Sequence, residues 1–147
     1  MKKLTTEEIE QVALLAESYY DADKFYCSEA VLMAVLDSLG YTYDKRIIGM
    51  ASGFPVGIGG AECLCGAVSG GVMAVGYVHG RSEMGDPKVA DTMARSREVR
   101  DRFVARNRTT CCHALIRRVK GKPEHILQCK RFVREVTKDV LEIVLRE

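Results

Sequence analysis

Apolar residues recur at intervals of three and four along most of the chain, which is the spacing of a buried helix face. The alternation of apolar and polar residues that is typical of a half-buried strand is not sustained in any segment. The pattern therefore predicts an all-α fold, a compact bundle of six or seven helices. At 147 residues the chain has the length of one domain, so we expect residues 1–147 to form a single helical, cysteine-rich domain.

Capping and helix-breaking residues mark where the helices begin and end. Thr5 and Glu8 form a capping box for a first helix, and Gly40 ends a second helix that covers residues 27–39. Asp86 and Pro87 are typical of a helix start. The remaining helices are predicted over residues 45–51, 65–80, 86–107, from 111 onward, and from 123 to the C-terminus.

The last helix has the clearest apolar stripe. Steps of three and four along it join Ile126, Cys129, Val133, Val136, Val140 and Ile143. This stripe is predicted to face the core, so Cys129 should point inward. Cys129 is then either a buried core residue, or an inward metal ligand or resolving thiol.

Six cysteines are the main chemical feature of the chain: Cys27, Cys63, Cys65, Cys111, Cys112 and Cys129. The N-terminus lacks the apolar segment of a secretory signal, and no apolar run approaches 18 residues, so we expect a cytoplasmic protein without a membrane span. In that reducing compartment cysteines more often bind metal or act in catalysis than form structural disulfides. Any one of them could still be a buried core residue.

Three cysteines fall in the first turn of a predicted helix, namely Cys27, Cys65 and Cys112. Unpaired backbone N–H groups and the helix dipole favour negative charge there, so the thiol pKa can be lowered. Cys65 and Cys112 are therefore our first choice for reactive thiols. His113 adjoins Cys112 and could activate a thiol or bind metal.

The helix that follows Cys65 has almost no side-chain bulk. Glycine costs about 1 kcal/mol relative to alanine in a helix, so its repeated use indicates that something packs closely against the backbone. A neighbouring helix is the favoured candidate; a cluster or a twin subunit, and hence a homodimer, are alternatives. The preceding residues 57–60 could present N–H groups to a thiolate, a cluster sulfide or an anion. They lack the residues of a P-loop and follow no strand, so no nucleotide site is expected.

The segment CGAVSG at 65–70 resembles the CGAxxG motif of a family of redox-active proteins named for the cysteine pattern C_GCAxxG_C_C. An early-helix cysteine is matched by Cys27 in CSEAVLMAVL, the third cysteine by Cys112 in CHAL, and the fourth by Cys129. The resemblance covers nearly the whole chain and implies a redox role for these four cysteines.

The chain also departs from the family pattern. The family name reads GCA where this chain reads CGA, and Cys63 and Cys111 are additional thiols that could enlarge the site. The family is also similar to the non-haem portion of split-Soret cytochromes. This chain has no CxxCH, so covalent haem attachment is not expected.

Three kinds of chemistry fit such a cysteine set. In a dithiol scheme, a thiolate such as Cys65 or Cys112 attacks the disulfide of a thiol substrate and a neighbour resolves the product. In the other two, Cys27, Cys65, Cys112 and Cys129 ligate an iron–sulfur cluster for electron transfer with a redox partner, or zinc. The cysteine spacings C-x-C and C-C disfavour zinc, and a non-catalytic metal-binding module remains the alternative function.

Residues 95–122, here called the basic segment, contain ten Lys or Arg and two acidic residues, a net charge of +8 in a chain of net charge +2. The favoured interpretation is a solvated helix face whose arginines pair with acids elsewhere in the fold. The alternative is an anion- or protein-binding helical module whose cysteines belong to the core. Nucleic acid is disfavoured because no recognition motif or interleaved aromatic residues accompany the charge.

Overall fold

The computed structural model describes residues 1–20 and 24–147, and its regular structure there is helical. The helices are α1 (Thr6–Tyr19), α2 (Cys27–Ser38), α3 (Arg46–Gly49), α4 (Gly66–His79), α5 (Val89–Asn107), α6 (Cys112–Ile116) and α7 (Pro123–Leu145), with a 3-10 turn at Met50–Gly53. Within the described residues, the extended pairing is limited to one bridge between Tyr20 and Phe25. The all-α prediction is confirmed.

Helices α2, α4 and α7 form the centre of the bundle. Helix α1 packs on α2 and α7, and α5 packs on α4 and α7. The face of α2 that points into the bundle is buried at Val31, Leu32, Val35 and Leu36, and Leu39 directly after the helix is buried as well. Among the helices of residues 1–20 and 24–147, none combines the length and the apolar character that crossing a bilayer requires.

The local signals place most helix ends correctly. Thr5 Oγ1 accepts a hydrogen bond from the Glu8 backbone N–H at 3.2 Å, and the Glu8 carboxylate accepts one from the Thr5 N–H at 2.8 Å, which completes the capping box. Gly40 follows α2 with φ of 76°, a conformation that glycine adopts readily. Pro123 begins α7 as predicted.

Two predictions about element positions are wrong. Helix α5 begins at Val89, because Asp86 accepts a hydrogen bond from the Lys88 N–H at 2.9 Å and caps a separate turn before the helix. Ile126 is 53% exposed, so the stripe of α7 enters the core only after Cys129.

The small residues of α4 allow neighbouring helices to approach its backbone. A Cβ atom added at Gly70 would lie less than 3.0 Å from the Ser28 carbonyl oxygen of α2, and one added at Gly71 would lie 2.6 Å from Val136 Cγ1 of α7. Gly76 has no neighbour within 4 Å of such an atom. Helix packing therefore explains two of these glycines.

This difference predicts opposite effects of alanine at two positions of one helix. Gly70→Ala should lower the free energy of unfolding by about 1–3 kcal/mol, because the new methyl group overlaps the α2 backbone. Gly76→Ala, the matched control, should raise it by up to about 1 kcal/mol through helix propensity. Urea denaturation followed by circular dichroism measures both, and equal effects would contradict the close packing of α2 on α4.

Candidate functional site

Four of the six cysteines line one cavity of about 290 Å³, and they are the four that match the family pattern: Cys27, Cys65, Cys112 and Cys129. The rest of the lining is largely apolar and includes Val56, Leu115, Ile116, Ile126 and Phe132. The exposed Ile126 thus belongs to the wall of this cavity and not to the core. The structure brings together the residues that we predicted as the site.

A different helix supplies each of these thiols. Cys27 is the first residue of α2, Cys65 is the N-cap of α4, Cys112 is the first residue of α6, and Cys129 lies within α7. The predicted positions of the first three at helix starts are confirmed. The Cys65 N–H donates to the Thr110 carbonyl at 2.8 Å, which joins the start of α4 to the segment before α6.

Hydrogen-bond donors from the protein reach three of the sulfur atoms. Burial raises the pKa of the Cys27 thiol, and hydrogen bonding from the backbone N–H groups of Val56 and Ser28 acts in the opposite direction. Those of Val68 and Ala67 do the same at Cys65.

At Cys129 burial also raises the thiol pKa, and the hydrogen bond from the Tyr20 hydroxyl opposes this rise. These donors come from the starts of α2 and α4, from the loop backbone at Val56, and from the Tyr20 side chain at the cavity wall. They favour a sulfur atom that carries negative charge.

Burial nevertheless outweighs these donors. Desolvation, followed by the charge of Cys129, raises the pKa of Cys27 to about 12. Desolvation likewise raises the pKa of Cys112 to about 11 and raises the pKa values of Cys65 and Cys129. The expectation of lowered pKa values at helix starts is therefore wrong, and without a ligand these thiols are protonated at neutral pH.

A left-handed turn forms the wall beside Cys27. Residues 56–60 all have positive φ, with values of 53° at Val56 and 57° at Ile58, a region that costs β-branched residues conformational energy. The N–H groups of Ile58, Gly59 and Gly60 donate to backbone carbonyls of the same loop at 3.0 to 3.2 Å. These three N–H groups are not free for a thiolate or cluster, so our expectation for residues 57–60 is wrong at Ile58, Gly59 and Gly60. The N–H of Val56, one residue before this segment, acts on Cys27.

Glu62 links the cysteine loop to α6, and no sequence motif indicates this role. Its carboxylate contacts Lys120 and accepts a hydrogen bond from His113 Nδ1 at 2.8 Å, while its carbonyl accepts the His113 N–H at 2.8 Å. Lys120, followed by His113, holds the pKa of the Glu62 carboxyl below its usual range. The imidazole of His113 is therefore engaged by Glu62 and is not among the residues that line the cavity.

The two additional cysteines lie outside the lining of the cavity. Cys63 is exposed and Cys111 is half-buried, with its sulfur 3.9 Å from the Glu62 carbonyl oxygen. The described residues contain no group of three or more His, Cys, Asp or Glu side chains arranged to hold a metal ion. The four thiols surround the cavity and do not converge on one point.

The family model described as "Putative redox-active protein (C_GCAxxG_C_C)" matches residues 25–143. The chain belongs to this family. The match includes all six cysteines, and the family description indicates a redox activity. No curated protein and no solved structure matches the chain.

The burial of the thiols predicts a wide spread of reactivity in the metal-free protein. Cys63 should be alkylated first by iodoacetamide, because it is exposed. At pH 8 a thiol such as Cys112, with a pKa of about 11, has about one thiolate per thousand molecules, and its alkylation rate should rise about tenfold per pH unit from pH 7 to 9. Mass spectrometry of peptides at timed intervals measures each rate. Alkylation of Cys112 as fast as that of Cys63 at pH 7 would contradict the raised pKa.

Proposed function

We propose that this protein transfers electrons through an iron–sulfur centre ligated by Cys27, Cys65, Cys112 and Cys129. The observation that carries the proposal is the arrangement of these four thiols, from four helices, around one largely apolar cavity. Cys65 and Cys112 come from segments joined by a backbone hydrogen bond, while Cys27 and Cys129 come from α2 and α7. Four thiolates at separate positions are the ligand set of such a centre.

The raised pKa values favour ligation over disulfide exchange. A thiol attacks a disulfide as its thiolate, which is scarce in Cys27 and Cys112 at neutral pH. Metal binding replaces the thiol protons and compensates the negative charge, so it makes buried thiolates stable where solvent does not.

The space between the thiols favours a polynuclear centre over zinc. A zinc ion requires four sulfur atoms at about 2.3 Å from one point, and the described residues contain no group arranged in that way. The thiols instead surround about 290 Å³. A centre with several metal ions takes its ligands from separate positions around such a volume.

The surrounding residues would tune and protect the centre. A bound cluster would supply one-electron chemistry. The N–H groups of Val56, Ser28, Ala67 and Val68 donate to two of the ligand sulfurs, which stabilises their negative charge. Leu115, Ile116 and Phe132 present apolar surface to the cavity and limit the access of water.

Anaerobic reconstitution with ferrous iron and sulfide tests the proposal. The protein should acquire iron, sulfide and visible charge-transfer absorption that bleaches on reduction. Serine at any one of Cys27, Cys65, Cys112 or Cys129 should decrease the bound iron severalfold, because each thiolate is one of four ligands. Cys63→Ser and Cys111→Ser are matched controls that should retain it.

Other outcomes would support the rival functions. A colourless, iron-free protein whose thiol count rises by two or four on reduction would indicate dithiol chemistry. A colourless protein that retains zinc would indicate a structural metal site. Six unreactive free thiols without metal would place the cysteines in the core and overturn the redox proposal.

Gly66 gives a second test that leaves every cysteine in place. A Cβ atom added there would lie less than 3.0 Å from Cys27 Sγ and 3.2 Å from the Phe54 carbonyl oxygen. Gly66→Ala should therefore displace the Cys27 thiol and decrease iron incorporation at least about twofold, as loss of a correctly placed ligand does. Gly76→Ala should incorporate iron like the wild type. Iron content per folded protein is the measurement, and full incorporation by Gly66→Ala would argue against Cys27 as a ligand.

A further inference from the structure

The basic segment divides into a mostly paired half on α5, where among the described residues Arg97 has no carboxylate partner, and a mostly unpaired half beyond it, where Lys120 contacts Glu62. On α5, Arg102 contacts Glu98 at 2.8 Å and Glu142 at 2.7 Å, and Arg106 forms an ion pair with the buried Asp139. The interpretation that these arginines pair with acids elsewhere in the fold is confirmed for this half. Charges neutralised in this way contribute little to recognition of a partner.

The unpaired half lies at the end of α5 and around α6. Arg108, Arg117 and Arg118 are exposed, and no carboxylate of the described residues lies within 4.0 Å of them. Together with Arg131, which forms an ion pair with Glu135 at 3.0 Å, they line a groove of about 370 Å³ that has no acidic residue in its lining. Arg108 has φ of 70°, so the chain adopts an unfavourable conformation at the point where this arginine reaches the groove.

The groove and the thiol cavity share a wall. Leu115 and Phe132 line both of them, so the two side chains separate the arginines from the space among the cysteines. A partner that binds in the groove would lie one side-chain layer from the proposed redox centre. The unpaired charge thus lies beyond one wall of the thiol cavity.

We propose that this groove docks the acidic face of an electron-transfer protein. The proposal rests on the proposed function: one electron leaves the reduced partner protein and reduces the cysteine-ligated centre, with no bond formed and no proton transferred. The groove is open to solvent and four arginines line it, which suits a broad acidic surface.

Small oxidants of opposite charge test the groove on the reconstituted protein. Stopped-flow absorbance should show that Arg117→Glu/Arg118→Glu slows oxidation by ferricyanide about tenfold at low ionic strength and accelerates oxidation by hexaamminecobalt(III). Arg97→Glu/Arg100→Glu makes the same change in net charge on α5, away from both cavity linings, and should change each rate less than about twofold. Added salt should remove the difference between the variants.

Poly-L-glutamate and inorganic phosphate, compared at equal ionic strength, distinguish a protein partner from a small anion. Inhibition of ferricyanide oxidation by poly-L-glutamate in the wild type, and its loss in Arg117→Glu/Arg118→Glu, supports the docking surface. Saturable inhibition by phosphate alone overturns it in favour of a small-anion site. Equal oxidation rates in the two double variants would overturn the docking surface but not the redox centre. A protein that reacts with neither oxidant would overturn both the docking surface and the redox centre.

Discussion

The contact between the start of α2 and the glycine face of α4 determines where the thiols lie. The Ser28 carbonyl occupies the space that a side chain at Gly70 would need, and the Cys27 sulfur occupies the corresponding space at Gly66. Because Cys65 immediately precedes Gly66, the same approach brings the sulfur-bearing starts of two helices together. Helix α7 completes the arrangement because its Val136 packs on Gly71 of α4. Cys129 lies two turns before Val136 in the same helix, and this contact therefore places it at the cavity. Small residues therefore serve both the fold and the site.

The energetics of the thiols follow from two opposing effects of unequal size. A helix N-terminus stabilises a nearby negative charge by about 0.3–1 kcal/mol. The rise in the pKa of Cys27 from its ordinary value of 9.0 to about 12 corresponds to about 4 kcal/mol in favour of the protonated thiol. Burial thus dominates, and the N–H donors decrease its cost without reversing it. A bound cation would stabilise the negative charge of these buried thiolates. An exposed thiolate would be stabilised by solvent and would not need such a ligand.

The parts of the site that depend on local signals could be predicted from the sequence. Cys27 and Cys112 begin helices and Cys65 immediately precedes one, and the starts of these helices are marked by capping residues, glycines and apolar periodicity. The apolar stripe of α7 predicts that Cys129 faces inward. The sign of the pKa shifts could not be predicted, because it depends on how much protein covers each sulfur. Glu62 contacts Lys120, which lies 58 positions later in the sequence, so no local pattern indicates the role of Glu62. The division of the basic segment likewise depends on where α7 places its acids.

The unpaired cations and the thiol cavity are connected electrostatically as well as in space. Four ligand thiolates and bridging sulfides give a cysteine-ligated cluster a net negative charge, which is costly in apolar surroundings. At Cys112, burial and the charges of Cys129, Glu62 and Cys111 raise the thiol pKa, and the charge of Lys120 opposes them only weakly. Arg108, Arg117 and Arg118 add positive potential from beyond Leu115 and Phe132, where the carboxylates of α7 do not neutralise it. If the proposed centre and partner are correct, one group of cations can both offset the charge of the centre and attract the acidic partner.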